Sequence, residues 1–377
     1  MNFQFSEEQQ LLADSVTRLI DEHYHFDARK KIIASEHGWS PAVYAKLSEL
    51  GLTALPFAES LGGFGAGALE MIPVMQALGR GLLVEPLVNT LSAPAYLLDQ
   101  AATLGQSALA QPSARVTLAH DEANSRWDLS AVRSSATRHA DGHWRVQGEK
   151  RVVLHAQSSQ WMLLSARLAG EHSHPGAIAL FLVASDTPGL HMKTYRTYDD
   201  QRAADIGFDL KLDAQALLLG DGDAMAHIEA ACDWAQVLMC SEALGVMDEA
   251  NRLTLEYLKT RKQFGMPIGA FQALQHRMVD MMMSAEQSRS ITYLACDRVD
   301  AAKSGRVSAS ERARAVSMAR VKVNEAARHI GQESIQLHGG MGMTIEMKIS
   351  HNFKRLTAMS QQFGDLDHHL DRLARAA

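Results

Sequence analysis

Cysteine is scarce in this chain, and proline vanishes from its C-terminal part. Three cysteines, Cys232, Cys240 and Cys296, occur in 377 residues, and no two stand in a CxxC spacing. Disulfide and zinc frameworks are thereby excluded, and a reducing cytoplasm is the expected location. No proline follows Pro267, so long uninterrupted helices are expected beyond it. Basic charge is not in excess. The 37 Lys and Arg against 43 Asp and Glu leave a net charge of −6, which offers no electrostatic footprint for nucleic acid. No apolar run approaches the roughly 18 residues of a membrane span. The opening MNFQFSEEQQ lacks both the basic-then-apolar text of a secretory signal and the arginine-rich, acid-poor text of a transit peptide.

What is present reads as a globular protein of two or three packed domains, with 46% hydrophobic and 21% charged residues. Residues 1–112 read as helices. Leu11, Leu12, Val16 and Ile20 form an amphipathic stripe after Ser6, a candidate N-cap with Gln9 three residues on. Tyr44, Leu47 and Leu50 mark a helix ending at Gly51, and GLTALPFAESLGGFGAG after it is a loop. Residues 113–222 change grammar. VTLAHD, HWRVQGEKRVVLH, WMLLSARL, AIALFLVAS and ADIGFDLKL are short β-rich runs separated by turn signals. An antiparallel barrel or sandwich is expected there. Residues 223–377 return to helix, with Phe271, Leu274, Met278, Met281 and Met282, then Ala315, Met318 and Val321, at helical spacing. The class is α+β: an N-terminal helical domain, a middle β domain and a C-terminal four-helix bundle.

Two segments of the last domain stand out, RKQFGMPIGAFQ (Arg261 to Gln272) and QLHGGMGMT (Gln336 to Thr344). Arg261 lies at the end of a helix running from about Asp248, where it could satisfy C-terminal carbonyls. It could equally meet a pyrophosphate bidentately. Gly339 and Gly340 could be a plain turn, or could let backbone N–H groups approach an anion.

Together with FSEEQQLLADSV, LPFAESLGGFG and WRVQGEKRVV, these segments resemble the acyl-CoA dehydrogenase family over nearly the whole chain. The resemblance implies FAD as cofactor and an acyl-CoA thioester as substrate. An electron-transfer flavoprotein would be the acceptor, and the assembly a dimer or tetramer. It implies that Arg261 pairs with the FAD pyrophosphate, Phe264 packs near the cofactor and Gln272 hydrogen-bonds it. Gln336, Leu337, Gly339 and Gly340 of a neighbouring chain would approach the adenosine half.

The chain departs from the family at the catalytic base. Family members usually carry Tyr-Glu-Gly in the final helical segment, whereas Phe363-Gly364-Asp365 stands here. The alternative position, on an earlier helix, holds Ala235-Gln236. In the β domain, Val152 and Leu154 replace the Trp and Thr that flank the flavin, and AHDEANSRWDLS replaces the acidic-glycine loop. Asp365 has two readings, a displaced base or the N-cap of the helix after it. The Phe363-Gly364-Asp365 ending, GEKRVVL and GRGLLVEPLV look like small subunits of two-component enzymes of the pimeloyl-CoA type. Such chains are expected to pair with a related large subunit that carries the base. Three functions stay open: a dehydrogenase subunit, a catalytically silent partner completing a sister chain's FAD site, and a flavin oxidase of nitroalkane-oxidase type using Asp365.

Overall fold

A computed structural model describes residues 5–103, 114–123, 125–168, 178–220 and 224–375. The N-terminal helices are α1 (Glu7–His23), α2 (Phe26–Ala34), α3 (Pro41–Glu49), α4 (Ala68–Gly81), α5 (Leu87–Leu91) and α6 (Ala93–Thr103). Eight strands follow: β1 (Val116–Ala119), β2 (Ser135–Arg138), β3 (Trp144–Leu154), β4 (Trp161–Arg167), β5 (Ile178–Ala184), β6 (Leu190–Arg196), β7 (Arg202–Leu212) and β8 (Leu217–Leu219). Then come α7 (Ala224–Thr260), the two-residue strands β9 (Lys262–Gln263) and β10 (Met266–Pro267), α8 (Gln272–Lys303), α9 (Ala309–His338), α10 (Lys348–Met359) and α11 (Leu366–Arg375). Compactness gathers Met1–Lys31, Gly67–Leu83 and Gln236–Ala377 into one unit, and Ile32–Ala66 with Val84–Ala235 into another.

The sheet unit is ordered β6-β7-β3-β2-β4-β5-β8, with β1 also on β4. Most pairs are antiparallel, but β1 runs parallel to β4, and β2 meets β4 in parallel at Ser135 and Arg167. This corrects the purely antiparallel expectation. The chain between β1 and β4 contains the β2–β3 hairpin, and that is long enough to be the crossover a parallel pair requires. Val146, Met162, Leu164, Phe181, Ile206 and Leu210 fill the inner face. Among the buried polar residues of this unit is Lys150, fully buried, whose ammonium donates to Glu122 Oε1 (2.7 Å), Ser165 Oγ (3.0 Å) and the His120 carbonyl (3.1 Å). Glu122 also accepts the N–H groups of Arg133 (2.7 Å) and Ser134 (3.0 Å). A buried ammonium so surrounded ties the loop before β2 to the sheet.

The helical unit begins with the capping box expected at Ser6: the Gln9 N–H donates to Ser6 Oγ (3.2 Å) and the Ser6 N–H to Gln9 Oε1 (2.9 Å). Val16 and Ile20 are buried, but Leu11 of the expected stripe is exposed. The N-terminal end of α4 is capped from afar. Asp300 on α8 accepts the N–H groups of Ala68 (2.7 Å) and Leu69 (3.1 Å), because Gly67 has no side-chain oxygen to do so. α9 packs against α8, α10 and α11. α10 is held to α7 by a bidentate pair, Arg355 Nε and Nη2 to Glu242 (2.8 and 2.7 Å), and by Lys348 to Glu249 (2.8 Å). On α8 the expected stripe divides. Met278 and Met281 are buried, while Met282 faces out, as does Met318 on α9. Helix α7 also starts well before Asp248, at Ala224.

Candidate functional site

α7 ends at Thr260, and the chain reverses through a hairpin in which Met266 pairs with Gln263 and Pro267 with Lys262. Its two central residues, Phe264 (φ 53°) and Gly265 (φ 80°), both have positive φ. That is the condition for a type I′ turn. Phe264 stands at the tip, 90% exposed, with its ring edge-on to Phe271. The hairpin fixes the backbone of Arg261, whose N–H donates to the Tyr257 carbonyl (2.8 Å) and whose own carbonyl accepts the Ile268 N–H (2.9 Å).

Beside this hairpin, within the helical unit, lies a concavity of about 580 Å³. Arg261 lines it from just past the end of α7, Gln336 and Leu337 from the end of α9, and Gly339 and Gly340 from just beyond it. The resemblance implied that these two segments meet from different chains of a dimer. The structure brings them to one concavity of a single chain, because α7 and α9 both end beside it. Phe264 and Gln272 are not among the lining residues: one is at the hairpin tip, and the other is exposed at the first position of α8. Among the described residues no carboxylate or acceptor pairs with the Arg261 guanidinium, whereas Arg277, also lining, is bridged to Glu333. A Cβ on Gly339 or Gly340 would meet nothing within 4 Å, so both backbones face open space.

Sequence reasoning missed Tyr257 and His338. Tyr257 is one helical turn before Arg261, and the two rings stack at 4.4 Å with a 27° interplanar angle. Spacing of four along α7 was the available signal for Tyr257. His338 sits inside QLHGG, between Leu337 and the glycines, with no spacing signal of its own.

The expected base position is a different place. Gly364 adopts φ 114°, and a Cβ there would lie 2.3 Å from His368 Cδ2 and 3.0 Å from His369 Nε2. The fully buried Arg320 holds this turn by donating to the carbonyls of Met359 (3.0 Å), Gln362 (2.8 Å) and Gly364 (3.1 Å). Burial, then the Arg320 charge, pushes the His369 imidazole down to about 2, so it is neutral. Asp365 Oδ1 accepts the His368 N–H at 2.9 Å, which is the N-cap bond of α11. Asp365 lines a separate concavity of about 420 Å³ with Asn324, Arg328 and Phe353. Ala235 and Gln236 are both buried on α7 and supply no carboxylate. Val152 has φ 51°, a strained value for a β-branched residue, at the irregularity where β3 slips its register on β7. Asp205 holds it there by accepting the Val152 N–H (3.1 Å).

Three family models match the chain in order: the N-terminal domain of acyl-CoA dehydrogenases over residues 6–108, the middle domain over 117–209 and the C-terminal domain over 224–377. The chain belongs to the acyl-CoA dehydrogenase family. It is thus a member of a family of FAD-dependent oxidoreductases that act on acyl-CoA. Acyl-CoA dehydrogenase IpdE2 of Mycolicibacterium smegmatis is 28% identical over 371 residues, covering 98% of each chain. A chain of the ChsE4-ChsE5 complex from Mycobacterium tuberculosis superposes with a TM-score of 0.86 at 23% identity, covering 100% of this chain and 98% of that one. Butyryl-CoA dehydrogenase from Megasphaera elsdenii gives 0.88 at 21% identity, covering 100% and 99%. At these identities the structures speak for the fold. Among the described residues no helix is long and apolar enough to cross a membrane.

Proposed function

We propose that this chain is a subunit of an acyl-CoA dehydrogenase that offers a binding surface for FAD but no catalytic carboxylate of its own. Dehydrogenation of the thioester to the 2-enoyl-CoA then occurs in an assembly with a related chain that supplies the base. One observation supports the reading: Arg261, Gly339 and Gly340 line one concavity, while a Cβ at residue 364 would run into the His368 imidazole.

FAD fits the residues present. Arg261 is fixed at its backbone, and among the described residues no anion pairs with its guanidinium, so a pyrophosphate can take both of its forked donors. Gly339 and Gly340 allow close approach to the backbone. Bound FAD would supply the hydride acceptor, with an electron-transfer flavoprotein receiving the electrons. The α-proton needs a carboxylate above the thioester, and neither position 364 nor positions 235 and 236 carry one. A glutamate at 364 would have to displace His368, and Asp365 is engaged with the helix it caps. The same engagement weighs against an oxidase that uses Asp365 as base. Phe264 and Gln272, exposed beside the concavity, are assigned to contact with FAD or the second chain. Dimeric or tetrameric assembly in the cytoplasm, with a related large subunit, follows from this reading.

The test is to purify the chain alone and with candidate related chains, then measure flavin content and anaerobic bleaching against a panel of acyl-CoA thioesters. The complete assembly should be yellow and bleach, and the chain alone should not bleach. Bleaching by the homomeric chain at the rate of a complete enzyme would overturn the proposal.

A further inference from the structure

We infer that Arg29 on α2, acting through His351 on α10, positions the loop that carries Gly339 and Gly340. Neither residue lines the Arg261 concavity, so each is a positioning residue for FAD retention that acts from outside it. The inference rests on the reading of that concavity as an FAD site.

The loop joins α9 to α10 across residues 339–347, and Gly339, Gly340 and Met341 line the concavity. The Thr344 N–H (3.1 Å) and hydroxyl (2.9 Å) both donate to the Met341 carbonyl. Bonds so local do not set where the loop lies in the helical unit. His351 does. Its Nε2 is 3.0 Å from the Ile345 carbonyl oxygen, an atom that can only accept, so the proton sits on Nε2. Nδ1 is then an acceptor, and Arg29 Nη1, which can only donate, meets it at 3.1 Å. Arg29 is held in turn at the C-terminal end of α4, where its Nε donates to the Leu82 carbonyl (2.7 Å). Arg29 is 2% exposed and His351 5%, so water competes poorly for these bonds. Two neighbours of Arg29 on the same face of α2 support the tie. The Phe26 and His351 rings meet edge to face, 5.1 Å and 80° apart, and Lys30 pairs with Glu346 of the loop (3.3 Å). All these residues belong to the helical unit. The consequence for binding is entropic. Two adjacent glycines leave the loop backbone free, and a loop ordered before the ligand arrives lowers the cost of binding it.

The tie can be read without flavin, by hydrogen exchange on the purified full-length chain. In His351→Leu the amides of residues 340–347 should exchange about tenfold faster, the scale of one lost hydrogen bond. Those of the sheet unit should stay as they are. His351→Gln, which keeps one donor and one acceptor, should restore much of the protection. Arg29→Met should loosen the same amides, and should add little once His351→Leu is present, because both act along one path. The assembly that holds FAD should release it about tenfold more readily when it carries His351→Leu, read by flavin fluorescence. Thermal melting identifies a variant that fails to fold. In that event Arg29→Lys, whose single nitrogen cannot reproduce the fork that serves Leu82 and His351, carries the test and should loosen the same amides. Unchanged exchange in the loop, additive effects of the two substitutions, or a loosened loop with FAD held as before would overturn this inference alone. A wild-type assembly that refuses FAD would overturn the reading of the concavity, and this inference with it.

Discussion

Gly364 and His368 divide a space that only one of them can fill. The imidazole Cδ2 stands 2.3 Å from where a Cβ on residue 364 would be, and φ 114° at Gly364 further disfavours any side chain. Installing the family's glutamate by Gly364→Glu should therefore destabilise the fold by about 1–3 kcal/mol, the usual penalty of overpacking. It should not create thioester-dependent flavin reduction in the chain alone. Thermal melting and anaerobic bleaching of the variant check both parts. A stable variant that bleaches would show that the histidines yield freely.

Asp365 should prove to be a cap. Removing its oxygen in Asp365→Ala should lower stability by about 1 kcal/mol, and Asp365→Asn, which keeps an acceptor, should recover most of it. Flavin reduction in the assembled enzyme should be the same in both. A drop of 100-fold or so in that rate, with stability intact, would return the carboxylate to chemistry.

The buried Lys150–Glu122 pair should be asymmetric under mutation. Lys150→Met leaves the Glu122 charge buried and should destabilise by about 3–5 kcal/mol in urea. Two N–H donors remain on that carboxylate, which places the expectation at the lower end. Adding Glu122→Gln to Lys150→Met should recover part of the loss. A single-variant loss under about 1 kcal/mol would mean those N–H groups suffice to hold the charge.

Stability should fall as the medium is acidified. Burial, with the nearby Lys150, lowers the His120 imidazole to about 3, and burial with Arg320 lowers His369 to about 2. Unfolded, both would protonate near 6.5. The unfolded chain thus binds more protons between 6.5 and those lower values, and stability is full above 6.5 and lost as pH falls below it. Each imidazole contributes a slope of up to about 1.4 kcal/mol per pH unit. Melting temperatures between pH 7.5 and 5 should show the decline, and His369→Gln should flatten it. An unchanged slope in that variant would assign the effect to other groups.

Local and contiguous signals were legible in the sequence. The Ser6 cap, the turn at Gly51 and the strands rich in Val, Leu and Ile are set by neighbours a few residues away. Arg261 and the glycine pair were readable for the same reason. Strand β6, LHMKTYR, was not, because it is polar and exposed along most of its length and gains its regularity from pairing with β7. Asp300 as the cap of α4 could not be read either, since the two partners are more than 200 residues apart. The closure of Gly364 was likewise invisible. The text shows a missing carboxylate, but only packing shows that two imidazoles have taken its room.

The tip of the β9–β10 hairpin leaves apolar surface in water. A phenyl ring held out by a two-residue turn cannot fold back onto its own chain without breaking the turn. Left wet, it forgoes about 2 kcal/mol of burial and offers any passing apolar surface a foothold. A surface that covers Phe264 would recover that burial.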